Sequence, residues 1–179
     1  MRIKTTAPLY IAAASILILV TLRILAGLYL PRLVINLSAS MPRGVYRIVP
    51  FTTPERGMLI AFNVPEATLH ELGQRTWLKK DAPLIKPIAG LPGDSVCISD
   101  TDVQINGKAV GPVFAADFQG RPLPRLRGCF TVQVGYVFPL STYAERSFDG
   151  RYLGPTLLNL TTGQAFAVWI CQNPKGAGK

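Results

Sequence analysis

Two serines and one lysine carry the chemistry available to this chain. The stretch Asn36-Leu37-Ser38-Ala39-Ser40-Met41-Pro42 sets two hydroxyls two residues apart, just after an apolar N-terminal segment. A serine hydroxyl becomes a nucleophile when a neighbouring group takes its proton. The single histidine, His70, lies in the polar run Glu66-Ala67-Thr68-Leu69-His70-Glu71. Nothing nearby supplies the carboxylate that orients a catalytic imidazole, so His70 reads as a solvated surface residue. A neutral lysine amine can replace it if desolvation has lowered its pKa. Lys4 is terminal, Lys79 and Lys80 form a polar pair beside Asp81, Lys108 follows an Asn-Gly turn, and Lys175 and Lys179 lie in a tail. Lys86 alone sits among apolar residues and prolines, in Ala82-Pro83-Leu84-Ile85-Lys86-Pro87-Ile88-Ala89. Taken by itself, such a lysine also fits an edge strand with its ammonium in water. Residue types alone leave both readings open.

Cys97, Cys129 and Cys171 fit no metal-ligand spacing, and no metal or cofactor is expected. In an exported domain one pair can oxidise. Cys97 and Cys129 both sit beside expected strands, so they are the expected disulfide, with Cys171 left as a thiol.

The elements that must position these groups follow from the apolar pattern. Residues 7–30 are largely apolar and form the expected membrane anchor, with 1–6 as a cytoplasmic N-terminus and 31–179 as an exported domain. The uncharged part, 7–22, is short of the roughly 20 residues that cross a bilayer, but Arg23 can snorkel and the run continues to Leu30. Arg2 and Lys4 favour a cytoplasmic N-terminus, although Arg23 and Arg32 weaken the bias. A cleavable signal peptide is the competing reading, and the bulky Leu28-Tyr29-Leu30-Pro31 argues against a cleavage site. The net charge of +9 comes from scattered basic residues without a nucleic-acid-type block. It fits anionic lipid headgroups or plain solubility, and nucleic acid is not an expected partner.

The exported part is rich in glycine and proline, with short apolar runs between them. Runs at 44–49, 58–62, 84–88, 95–98, 129–134, 136–138 and 165–170 predict strands. Val103-Gln104-Ile105, Asn106-Gly107 and Lys108-Ala109-Val110 predict a hairpin with a two-residue turn. Only 65–80 leaves room for a short helix. A mostly β, antiparallel domain of coiled or barrel-like form, behind one N-terminal transmembrane helix, is expected.

Three blocks stand in order along the exported part: Ser38-Ala39-Ser40-Met41-Pro42, Lys86 followed by Gly90-Leu91-Pro92-Gly93-Asp94, and Ser147-Phe148-Asp149-Gly150-Arg151-Tyr152. Together they resemble the serine-lysine peptidases of the type I signal peptidase family. Proline directly after Met41, then Arg43-Gly44-Val45-Tyr46-Arg47, and the compact spacing of the second and third blocks are similar to the conjugal-transfer, TraF-type subgroup. The resemblance implies Ser40 as nucleophile and Lys86 as general base. It implies an oxyanion hole from the Ser38 hydroxyl and the Ser40 N–H, with Ser147 orienting the lysine and Asp149 and Arg151 supporting it as an ion pair. Its implied substrate is an exported precursor with a signal peptide, a conjugative pilin in the subgroup, whose new ends some members join into a ring. Inner-membrane attachment with the catalytic domain on the periplasmic side, in contact with membrane lipids, is implied too.

Departures from the general pattern are Gly150 where serine is common, Pro87 where arginine is common, and Ser141-Thr142-Tyr143-Ala144-Glu145-Arg146 in place of a Gly-Asp-Asn-Arg lead-in. Pro87 lacks a backbone donor, which predicts an edge or a bulge beside Lys86. Alternative readings are a general signal peptidase I, a non-catalytic envelope scaffold of a conjugation or secretion apparatus, and a self-cleaving repressor. The last lacks its DNA-binding module here.

Overall fold

The computed structural model describes residues 7–29, 32–51, 53–73, 75, 78 and 82–171. The expected cytoplasmic N-terminus, 1–6, lies outside the described residues, as do Lys79, Lys80, Asp81, Lys175 and Lys179. The chain divides into two compact units, Met1–Arg32 and Leu33–Lys179.

The first unit is the helix α1, Ala7–Tyr29. Alanine, leucine and isoleucine favour it, and the two polar side chains in its middle are spent locally. The Ser15 and Thr21 hydroxyls donate to the carbonyls of Ile11 and Leu17, one turn back. Among the described residues no helix is long and apolar enough to cross a membrane. The anchor expected over 7–30 falls largely on this helix.

The second unit is mostly β. Its strands are β1 (Arg32–Asn36), β2 (Gly44–Val49), β3 (Leu59–Phe62), β4 (Leu84–Gly90), β5 (Ser95–Ile98), β6 (Asp102–Ile105), β7 (Lys108–Pro112), β8 (Gly128–Thr131), β9 (Tyr136–Pro139), β10 (Thr156–Leu157) and β11 (Thr161–Ile170). Two short helices, α2 (Glu66–Leu72) and α3 (Gly150–Leu153), interrupt them. The coiled, barrel-like expectation resolves into two sheets, ordered β1-β2-β11-β3-β4-β9-β10 and β7-β6-β5-β8. The pairings from β2 onward are antiparallel.

Local chemistry explains the main boundaries. Asn106 and Gly107 both take positive φ, the geometry that lets a two-residue turn follow the twist of β6 and β7. Consecutive Ile60, Ala61 and Phe62 are all buried, which marks β3 as covered on both faces. Val96, Ile98, Val103 and Ile105 alternate inward on the smaller sheet and pack with Val132, Phe138 and Leu140. Cys97 and Cys129, directly opposed on β5 and β8, are joined by a disulfide, and Cys171 is a free, exposed thiol.

Of the two expectations for Pro87, an edge or a bulge, the structure shows the second. β4 is an interior strand between β3 and β9, not an edge. The β4–β9 register shifts between Ile88 and Gly90, and the Pro87 carbonyl accepts from the Leu140 N–H just past the end of β9. A bulge next to the lysine replaces the edge.

Candidate active site

Lys86 lies on β4 opposite Ile60 of β3, with Ile85 and Ile88 buried beside it. Only 1% of the lysine is exposed. Burial penalises the ammonium and brings its pKa down from 10.5 to about 8; the Asp149 charge opposes that shift and Arg151 adds to it. A lysine so placed is neutral in about a tenth of molecules at pH 7 and in most of them above pH 8, and the neutral form can accept a proton.

Two hydroxyls meet its amine. Lys86 Nζ contacts Ser40 Oγ and lies 2.8 Å from Ser147 Oγ. Ser40 follows β1 in a tight turn and is half-buried. Met41, next in sequence, is buried and anchors that turn. Ser38 Oγ stands 3.1 Å from Ser40 Oγ and donates to Asn36 Oδ1 at 2.8 Å.

Asn36 braces the same turn. Its Oδ1 accepts the Ser38 N–H at 3.1 Å, and its Nδ2 faces the carbonyls of Ser38, Met41 and Pro42 at 3.3, 3.2 and 3.1 Å. The Tyr46 hydroxyl donates to Pro42 O at 2.7 Å, and burial raises its pKa, which keeps it a donor.

Near Lys86 and Ser147 lies a buried ion pair. Asp149 caps α3, accepting the Arg151 N–H at 3.3 Å and Arg151 Nε at 2.9 Å. The guanidinium also donates to Asp149 Oδ2 and to the carbonyls of Pro112, Glu145 and Ser141, so each N–H of the fork has an acceptor. That full pairing is what allows an arginine 1% exposed. Ser38, Ser40, Lys86 and Ser147 thus form a chain of contacts in that order, while the hydrogen bonds of Asp149 and Arg151 go to each other and to the backbone around them. His70 lies on α2 and enters none of these contacts. Among the described residues no group of three metal-ligating side chains occurs.

A model of the family described as signal peptidase, peptidase S26, matches residues 3–170. The chain belongs to that family. Among curated relatives, a plasmid transfer protein TraF of Escherichia coli is 31% identical over 144 residues, covering 74% of this chain and 80% of that protein. A conjugal transfer protein TraF of Agrobacterium fabrum is 34% identical over 131 residues, covering 68% and 73%. Among solved structures, a signal peptidase I of Enterococcus faecalis superposes with a TM-score of 0.38 at 23% identity, covering 64% of this chain and 97% of that one.

The departures of this peptidase from the general pattern have local causes. A Cβ on Gly150 would stand 2.5 Å from Pro139 O and 2.8 Å from the Phe138 ring, so serine does not fit there. The altered lead-in places the Ser141 hydroxyl against the Ser40 carbonyl. Sequence reasoning treated Ser141 only as a departure and did not single out Asn36 or Tyr46. An asparagine two residues before a serine is a recognisable Asx-turn signal. The Ser141 contact with Ser40, by contrast, joins residues 101 positions apart and leaves no local trace, while Tyr46 reaches only four residues back to Pro42.

Proposed function

We propose that this chain is a membrane-attached serine endopeptidase that removes the signal peptide from an exported precursor, with a conjugative pilin as its substrate. The observation that carries the reading is the contact of a desolvated Lys86 amine with both Ser40 Oγ and Ser147 Oγ.

Neutral Lys86 donates one N–H to Ser147, which leaves its lone pair aimed at the Ser40 hydroxyl. Ser40 Oγ attacks the scissile carbonyl as its proton passes to Lys86. The oxyanion is received by the Ser40 N–H and by the Ser38 hydroxyl, which turns from Asn36 to donate. Collapse breaks the peptide bond, Lys86 returns the proton to the departing amine, and an ester on Ser40 remains. Lys86 next takes a proton from water, the hydroxide attacks the ester, and Ser40 regains its hydrogen. A ring would need a further acylation at a bond near the precursor's C-terminus: Ser40 then holds the mature chain as an ester, the C-terminal fragment leaves as the amine, and attack by the mature chain's own N-terminal amine breaks the ester and closes the ring.

Membrane attachment draws on the apolar run 7–30 and on exposed apolar side chains near the nucleophile's strand: Leu33, Ile35 and Leu37 around β1 and Trp169 on β11. Ser40 is ten residues past Leu30, within about 33 Å even for a fully extended chain. That reach suits a cleavage site just outside the bilayer. The Cys97–Cys129 disulfide suits an oxidising, extracytoplasmic compartment. The TraF names of the relatives support the conjugative substrate.

The test is coexpression of a conjugative pilin precursor with wild type, Ser40→Ala and Lys86→Ala. Processing by wild type alone is expected, and normal processing by either variant refutes the dyad. The product mass distinguishes a hydrolysed chain from a ring, which is lighter by one water.

A further inference from the structure

Ser141 is 1% exposed, and each of its polar groups is committed. Its N–H donates to Asp149 Oδ2 at 3.0 Å, and its carbonyl accepts from Arg151 at 2.7 Å. Its hydroxyl donates to the carbonyl of Ser40 at 2.8 Å and accepts the Tyr143 N–H at 3.2 Å. The buried Met41 sulfur stands 3.4 Å from the same hydroxyl oxygen. Ser141 and Ser40 are far apart in sequence, so this one side chain joins the loop before α3 to the turn after β1.

We infer that Ser141 is a positioning residue for the nucleophile, holding Ser40 through its carbonyl and tying it to the Asp149–Arg151 pair that underlies the lysine's partner Ser147. This rests on the dyad reading above. Holding a residue's carbonyl fixes ψ, and with the turn braced by Asn36 that sets where Cβ and Oγ point. The lysine side is held separately, through Ser147 and β4. Both halves of the dyad therefore hang from one ion pair by different serines: Ser147 follows Asp149 by chain connectivity on the lysine side, and Ser141 by hydrogen bonds on the serine side. The arrangement is economical because the acyl-transfer geometry tolerates only small displacements. Loss of the Ser141 hydroxyl removes this hydrogen bond from the Ser40 carbonyl while leaving the Lys86–Ser147 contact in place.

The consequence is a specific kinetic signature. Misaiming Ser40 slows acylation without weakening substrate binding and without altering the ionisation of Lys86. A purely architectural serine would instead lower activity only in proportion to lost folded protein.

The experiment measures kcat, KM, the pH midpoint of kcat/KM and the thermal melt for full-length wild type, Ser141→Ala, Ser141→Cys and Ser40→Ala, using a peptide spanning a precursor cleavage site. Expected for both Ser141 variants is a 10- to 100-fold fall in kcat, KM within twofold and an unchanged pH midpoint. If the alanine variant does not fold, the nearly isosteric cysteine variant decides. A folded variant with kcat within twofold of wild type overturns the inference. So does a shifted pH midpoint, or a loss that tracks unfolded protein in both variants. Activity in Ser40→Ala would overturn the dyad and this inference together; an inactive Ser40→Ala beside fully active Ser141 variants overturns this inference alone.

Discussion

Lys86 Nζ and Ser147 Oγ lie 2.8 Å apart, with both side chains closed to solvent. The contact gives the amine a partner that accepts a hydrogen and carries no charge, so it does not hold the ammonium form as a carboxylate would. Asp149 supplies the nearby negative charge, but its oxygens are spent on Arg151 and on the Ser141 N–H. The site therefore buries a lysine without neutralising it.

That burial has a stability cost with a defined pH window. Below pH 8 Lys86 is protonated folded and unfolded, and the cost of the buried ammonium is fully present. Between pH 8 and 10.5 the folded chain releases the proton that the unfolded chain still holds, so stability rises with pH. The gap corresponds to about 3 kcal/mol. Lys86→Met should remove this slope: its stability relative to wild type, from denaturant unfolding at pH 6.5 and pH 10, should fall by about 3 kcal/mol between the two. A pH-independent difference would mean that Lys86 has an ordinary affinity for protons.

Ser38 is exposed and spends its hydrogen on Asn36, an exchange that costs little to undo when a stronger acceptor forms. Ser38→Ala should lower kcat by about 100- to 1,000-fold while leaving KM and the melting temperature near wild type. Steady-state kinetics on a cleavage-site peptide check this. An unchanged kcat would confine Ser38 to bracing the turn.

Gly150 meets backbone where a side chain would begin. Gly150→Ala must move Pro139 O or the Phe138 ring, so it should destabilise the fold by about 1–3 kcal/mol and disturb the Asp149–Arg151 pair at the start of α3. Thermal melting and activity measured together would show both falling. A neutral result would mean that α3 shifts freely.

The contrast between Gly150 and Lys86 shows where the sequence is readable. Strands β2, β5 and the β6–β7 hairpin were legible because alternation and an Asn-Gly turn are local signals. β1 was not, since its exposed Leu33 and Ile35 continue the apolar run that precedes them. β10 has two residues and exists only because β9 offers an edge. Lys86 stood out by its apolar neighbours, yet those neighbours fit an edge strand equally well; the pairing with both β3 and β9 is what desolvates it. Gly150 read as a departure from a pattern, and its cause, the approach of Pro139, is a tertiary contact. Ser141 carries no local signal, because all its partners but Tyr143 come from other turns.

The most direct test of the account is the single-turnover rate at which Ser40 is acylated by a cleavage-site peptide, followed from pH 6 to pH 10 by mass of the enzyme. The account predicts a rate that climbs through one ionisation near pH 8 and is lost in Lys86→Met. A rate that is flat across that range, or that survives in Lys86→Met, would contradict it.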